Sequence, residues 1–190
     1  MGNACADFVK GTVPSTFARR IQEGIRLHRA IDAFSDDHTS VTDVAKNFPT
    51  EFSRYAGILL DVAFDHLLAR SWHEFATISL EEFSAQVYRD LIATQPLGPP
   101  AFLPVVESMT TYDWLGSYRH PESVHRMLRA LNSRLRRANP LAQAAPMIFE
   151  REALIEAAFR QFLPELVSFA RSREPEAAPY WKERPLEHDL

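Results

Sequence analysis

Apolar residues recur every three to four positions along most of the chain, and the strict alternation of half-buried strands is absent. Pro14-Ser15 introduces a helical pattern reaching about Phe34, with Ile21, Ile25, Leu27 and Ile31 on or beside its inner face. A second helical region spans about Thr39 to Arg70 and is interrupted near Pro49, because proline removes a backbone donor. Ser79, with Glu82 three residues later, forms a capping box that predicts a helix to about Ala93. A proline-rich connection, Gln95 to Pro104, leads to short helical pieces between Val105 and Tyr118. Pro121 suits the first turn of a helix ending near Arg137, and a last helix covers about Pro146 to Ser172 with a kink at Pro164. The pattern predicts an all-α, single-domain helical bundle over residues 1–173 and a peripheral tail over 174–190.

Bulk properties narrow the function. A hydrophobic share of 46% with 24% charged residues is ordinary for a globular chain. The net charge of −4 argues against a general nucleic-acid binder. The longest apolar region, Tyr55 to Ala69, is interrupted by Asp61, Asp65 and His66, so no membrane span is expected. Cys5 is the single cysteine and has no activating pattern around it, which predicts a small buried residue and no internal disulfide. No basic-then-apolar leader pattern opens the chain, and a cytoplasmic location is the expectation.

The acids set in apolar surroundings carry the chemical information. Asp61 and Asp65 are four apart in a stretch that is otherwise apolar nearly all round, so one helical face presents both carboxylates. His66 adjoins them. His28 and Asp32 repeat the spacing between Ile25, Leu27 and Ile31, Asp36 lies one turn further on, and Asp7 sits between Ala6 and Phe8. A carboxylate removed from water must pair with a cation or bind metal. Two readings follow: a metal site, for which oxygen and imidazole donors suit Mn²⁺, Mg²⁺ or Fe²⁺, or structural ion pairs with Arg29, Arg54 and Arg70. A di-metal carboxylate bundle would need glutamates with Glu-x-x-His pairs, and that arrangement is not visible. Trp72, Trp114 and Trp181 read as packing residues.

Three long motifs occur in order: Gly2-Asn-Ala-Cys-Ala-Asp-Phe-Val-Lys-Gly11, Gly24-Ile-Arg-Leu-His-Arg-Ala-Ile-Asp-Ala-Phe-Ser-Asp-Asp-His38, and Ala56-Gly-Ile-Leu-Leu-Asp-Val-Ala-Phe-Asp-His-Leu-Leu-Ala-Arg-Ser-Trp72. With a weaker echo at Met109-Thr-Thr-Tyr-Asp-Trp-Leu-Gly-Ser-Tyr118, the chain resembles the acyl-carrier-protein phosphodiesterases from Gly2 to about Pro164. The resemblance implies a helical fold like that of the HD-type metal phosphohydrolases. It implies hydrolysis of holo-acyl carrier protein to apo-protein and 4′-phosphopantetheine, with Mn²⁺ or a similar divalent ion. The matching positions are Asp7, His28, Asp32, Asp61, Asp65 and His66, with Arg29, Asp36 and His38 beside them.

Two departures stand against that pattern. Family members usually carry a preceding helix with an Ala-His-Leu-His-Leu-like sequence, whereas this sequence opens almost at the Gly-Asn motif. If those histidines belong to the site, this version lacks ligands; a misplaced start codon is the simpler expectation. Asp65-His66 also reads opposite to a His-Asp signature.

The roles implied are these. Asp7, His28, Asp61 and Asp65 would hold one or two divalent ions that neutralise phosphate charge and activate water. Asp32 or His66 would orient that water or handle the leaving-group proton. Arg29 would hold a phosphate oxygen, or pair with Asp32 or Asp36. From Arg119 to Arg137 six arginines face a single acid, Glu122. Arg126, Arg129, Arg134, Arg136 and Arg137 therefore make a candidate docking patch for an acidic carrier protein, or a solvated face. An HD-like phosphohydrolase acting on a nucleotide or other small phosphoester, and an inactive helical binding relative, are the alternatives.

Overall fold

The computed structural model describes residues 1–175 and 177–182, and among these the chain folds into α-helices and short 3₁₀ turns without strands. In order, the helices are α1 (Arg19–Asp37), α2 (Thr39–Ala45), α3 (Thr50–Ser53), α4 (Ala56–Arg70), α5 (Trp72–Phe75) and α6 (Leu80–Thr94). They continue with α7 (Leu103–Thr111), α8 (Trp114–Ser117), α9 (Pro121–Arg134), α10 (Ala145–Glu150) and α11 (Glu152–Arg173). The all-α expectation holds, and among the described residues no helix is long and apolar enough to cross a membrane.

Local chemistry explains most of the boundaries. The Glu82 amide donates to Ser79 Oγ (3.1 Å) and the Ser79 amide donates to the Glu82 carboxylate (2.9 Å), closing the expected capping box on α6. The region from Thr39 to Arg70 breaks at Pro49 as expected, but into three helices, because a further turn separates α3 from α4. The last helical stretch breaks at Arg151, ahead of Pro164, which lies inside α11. Arg151 leaves helical geometry and its guanidinium reaches the carbonyls of Asn47 and Met147.

Burial divides the interior into two apolar clusters. The larger joins α2, α3, α4, α9, α10 and α11, with Leu59, Leu60, Leu128, Leu141 and Ile155 fully enclosed. The smaller gathers Cys5, Ala6 and Val9 of the N-terminal segment with Ile21 and Ile25 of α1, Leu91 of α6, Phe102, and Val106 of α7. Cys5 is buried and free, as its sequence setting predicts. α1 spans both clusters: Ile21 and Ile25 enter the smaller, and Phe34 packs on the larger. The helical turns between them, carrying His28 and Asp32, bridge the two cores. Beyond α11, Trp181 stacks on Phe75 (centroids 5.2 Å) and Thr77 donates to the Tyr180 carbonyl, so residues 177–182 pack on α5; the rest of the expected tail, 183–190 and Glu176, lies outside the described residues.

Candidate metal centre

A close backbone crossing assembles the first part of the site. A Cβ at Gly2 would lie 2.3 Å from the Ile21 carbonyl oxygen, and one at Gly24 would lie 2.8 Å from the Asn3 nitrogen. Two glycines at the crossing are what lets the N-terminal segment lie directly on α1. That contact delivers Asn3 and Asp7 to His28. Asn3 Oδ1 can only accept, so His28 Nδ1 donates to it (3.0 Å) and Nε2 faces the other way. There it lies 3.3 Å from Asp7 Oδ1 and 3.2 Å from Asp32 Oδ2.

Donor atoms of Asp7, His28 and Asp32 thus converge, all within 4.8 Å of one another. Ligands at right angles around a cation with bonds of about 2.1 Å lie about 3.0 Å apart, close to the two measured spacings. The arrangement also has an outer partner of the kind that metal-bound imidazoles use, since Asn3 fixes the tautomer that turns Nε2 to the carboxylates. Asp7 and Asp32 remain open to solvent while His28 is mostly covered (side-chain exposure 81%, 56% and 23%). The residues present fit a divalent cation.

The second part comes from α4. Leu59, Leu60, Val62, Ala63, His66 and Leu67 are buried, whereas Gly57, Asp61 and Asp65 form an open stripe at i, i+4 and i+8. The sequence reading of α4 as enclosed nearly all round is corrected here: its acids reach water. Surrounding protein nevertheless strips part of their hydration. That loss, with the charges of Asp36, Asp32 and Asp7 adding to it, pushes the Asp61 carboxyl up to about 6. Burial and then the charge of Asp61 push Asp65 to about 7. Asp32 is raised as well, first by desolvation, with His28 opposing and Asp7 and Asp36 adding. Asp7, Asp32, Asp36, Asp61 and Asp65 therefore share one field.

The arginines that would neutralise this field are engaged elsewhere. Arg29 donates to the Gly11 carbonyl (2.7 Å) and to the Val9 carbonyl, not to Asp32 or Asp36. Arg70 pairs with Glu152 and Glu156 (3.3 Å for the latter). Arg54 lies over the Tyr55 ring. The structural-ion-pair reading loses all three of its cations.

Asp61 and Asp65, expected as metal ligands, are not among the three residues whose donor atoms converge, and neither are the remaining expected residues. His66 is buried, Nδ1 donating to the Tyr118 carbonyl (2.7 Å) and its ring edge against Phe149. His38 faces Glu165 (3.3 Å) and caps α2 through the Ser40 amide. Among the arginines, Arg119 pairs with Glu81, whereas Arg126, Arg129, Arg134, Arg136 and Arg137 are exposed on α9 and just past its end. Asn3 is the participant that the sequence reading left unassigned, although it stands in the quoted Gly-Asn motif. Its signal was position alone, since only the fold shows that it reaches His28.

The chain matches the family model described as acyl carrier protein phosphodiesterase over residues 1–166. It is 29% identical over 174 residues to the acyl carrier protein phosphodiesterase of Klebsiella pneumoniae subsp. pneumoniae, which covers 91% of this chain and 90% of that protein. The protein of the same name from Enterobacter sp. (strain 638) is 30% identical over 174 residues, 91% of this chain and 90% of that protein. That of Escherichia coli O157:H7 is 31% identical over 170 residues, with 89% and 88% covered. No solved structure matches the chain.

Proposed function

The chain belongs to the acyl carrier protein phosphodiesterase family, and on that premise we propose that it hydrolyses holo-acyl carrier protein to apo-carrier and 4′-phosphopantetheine with a divalent cation. The observation that carries this reading is the convergence of His28 Nε2 with Asp7 and Asp32, inside an acidic field, with Arg29, Arg54 and Arg70 engaged elsewhere.

Asp7, His28 and Asp32 hold the cation, and Asn3 keeps His28 turned to it. Asp61 and Asp65 supply further oxygen donors from α4. Two carboxylates and an imidazole, with the lone thiol buried elsewhere, favour Mn²⁺, with Mg²⁺ or Fe²⁺ compatible. When bound, such an ion offsets phosphate charge and acidifies water.

The reaction then balances simply. Water gives its oxygen to phosphorus, the bond to the carrier serine breaks, and the serine oxygen takes a proton. Asp32, accessible and beside His28, orients the attacking water, whose proton passes to the serine oxygen. His66 acts at a remove by holding the Tyr118 carbonyl, and Arg29 by pinning the Val9 and Gly11 carbonyls of the segment that bears Asp7. Arg126, Arg129, Arg134, Arg136 and Arg137 attract the acidic carrier. The enzyme works in the cytoplasm, where its single thiol stays reduced.

The test follows the intact mass of holo-carrier with Mn²⁺, with and without chelator. Metal-dependent loss of the phosphopantetheine mass is expected, and Asp61→Ala or Asp65→Ala should lower turnover by at least about a hundredfold. Turnover near wild type in either variant would remove α4 from the site. An unchanged carrier mass, together with hydrolysis of nucleotides, would instead favour a small phosphoester as substrate.

A further inference from the structure

A cavity of about 420 Å³ lies between the α8 segment and α9, within the usual range for small-molecule sites. Its walls are largely apolar and aromatic: Tyr112, Trp114 and Tyr118 on one side, Met127, Ala130 and Leu131 on the other. Two arginines, Arg126 and Arg134, belong to the lining, and no carboxylate does.

The wall is built under constraint. Asp113 adopts a left-handed backbone (φ 43°), an uncommon geometry for a non-glycine residue. Its carboxylate accepts from the Tyr88 hydroxyl (3.0 Å) and the Gly116 amide (3.2 Å), and the Leu115 amide donates to the same Tyr88 hydroxyl (2.8 Å). A side chain at Gly116 would collide with that carboxylate. These contacts turn Tyr112 and Trp114 to the cavity, and the Tyr112 ring stays 71% exposed.

Tyr118 joins this cavity to the acidic stripe of α4. Its carbonyl is held by His66, the chain neighbour of Asp65, and its side chain lines the cavity. Its hydroxyl feels the charges of both Asp65 and Arg134. The α4 end of the acidic field, at Asp65, therefore adjoins an arginine-edged, apolar wall.

We propose that this cavity receives the pantetheine arm of the substrate, while the acidic cluster takes the phosphodiester at the arm's end. The inference rests on the carrier-phosphodiesterase reading. The arm is neutral and amide-bearing, ends in a thiol, and carries a geminal dimethyl group, which matches apolar walls without acids. The phosphodiester is anionic, and Arg134 at the join complements it opposite the carboxylate face. The arm would thus be gripped independently of the carrier's surface.

Calorimetric titration with free pantetheine tests the cavity without requiring turnover. Wild-type protein should bind pantetheine, and Ala130→Trp, which fills the cavity from an exposed helix position, should weaken binding by at least about tenfold. Tyr112→Ala removes an exposed ring, so it leaves the fold alone; it should raise KM for holo-carrier with kcat nearly unchanged. The cavity proposal is overturned if wild-type protein ignores pantetheine, or if Ala130→Trp, with an unaltered melting temperature, cleaves holo-carrier with wild-type constants. Failure of the underlying reading looks different: pantetheine binding that Ala130→Trp abolishes, with holo-carrier left intact by the wild-type protein.

Discussion

Asp61 and Asp65 hold their protons to about 6 and about 7, against an ordinary value of 3.8, because the fold takes part of their hydration and gathers like charge around them. Between those limits the folded chain binds more protons than the unfolded one, so stability falls as pH rises from about 4 to about 7 and levels off above. Metal-free protein should therefore melt lower at about pH 7.5 than at about pH 5, and Asp61→Asn with Asp65→Asn should flatten the slope. Added Mn²⁺ should reverse the loss, since a cation prefers the deprotonated carboxylates. A melting curve indifferent to pH and metal would show that these carboxyls are not desolvated. At this scale the sequence exposed half of the site. The i, i+4 spacings of His28 with Asp32 and of Asp61 with Asp65 were visible as spacings. The Asn3 contact was not, because it joins residues 25 apart through a backbone crossing.

Helices were legible where a local interaction sets their ends. The Ser79–Glu82 box and Pro121 fix two helix starts from residues next to each other in the chain. The break at Arg151 was not: it coincides with a guanidinium that reaches Asn47, in a different part of the chain. The acids of α4 were read as enclosed because periodicity shows which residues are apolar, not how many neighbours surround a helix. The N-terminal segment and α1 depend on each other in the same non-local way. Gly24→Ala would place a Cβ 2.8 Å from the Asn3 nitrogen and 2.9 Å from the Gly2 Cα, both backbone atoms that cannot swing aside. The expected result is a shift of Asn3 and Asp7 from His28, a loss of roughly 1–3 kcal/mol of stability, and Mn²⁺ binding weaker by about tenfold. Gly57→Ala is the control, because open space surrounds that position within α4 and alanine there should gain about 0.5–1 kcal/mol. Equal metal affinity in both variants would dissociate the crossing from the site.

Across the molecule, charge is sorted rather than mixed. Asp32, Asp36 and Asp37 gather in the C-terminal half of α1, with Asp61 and Asp65 on α4 and Asp7 before them, whereas arginines run along α9 and just beyond it. α9 packs directly on α4, so the two fields meet at the cavity edge, where Tyr118 lies between the influence of Asp65 and Arg134. Arg126 and Arg134 line the cavity, which leaves Arg129, Arg136 and Arg137 exposed for longer-range work. On the proposed reading, an acidic carrier would be drawn to these arginines, and its prosthetic arm would then meet the cavity that they edge. Encounter and chemistry are thereby separable. Reversing Arg129 and Arg136 to glutamate should raise KM for holo-carrier by about tenfold while kcat is nearly kept, because steering acts on association and not on bond cleavage. The gap between variant and wild type should narrow as salt rises from about 0.05 to about 0.5 M, where the screening length contracts to a few ångströms. Steady-state kinetics on holo-carrier at the two ionic strengths decides the matter. A KM that ignores both charge and salt would mean that the arm alone, not the arginine face, recognises the carrier.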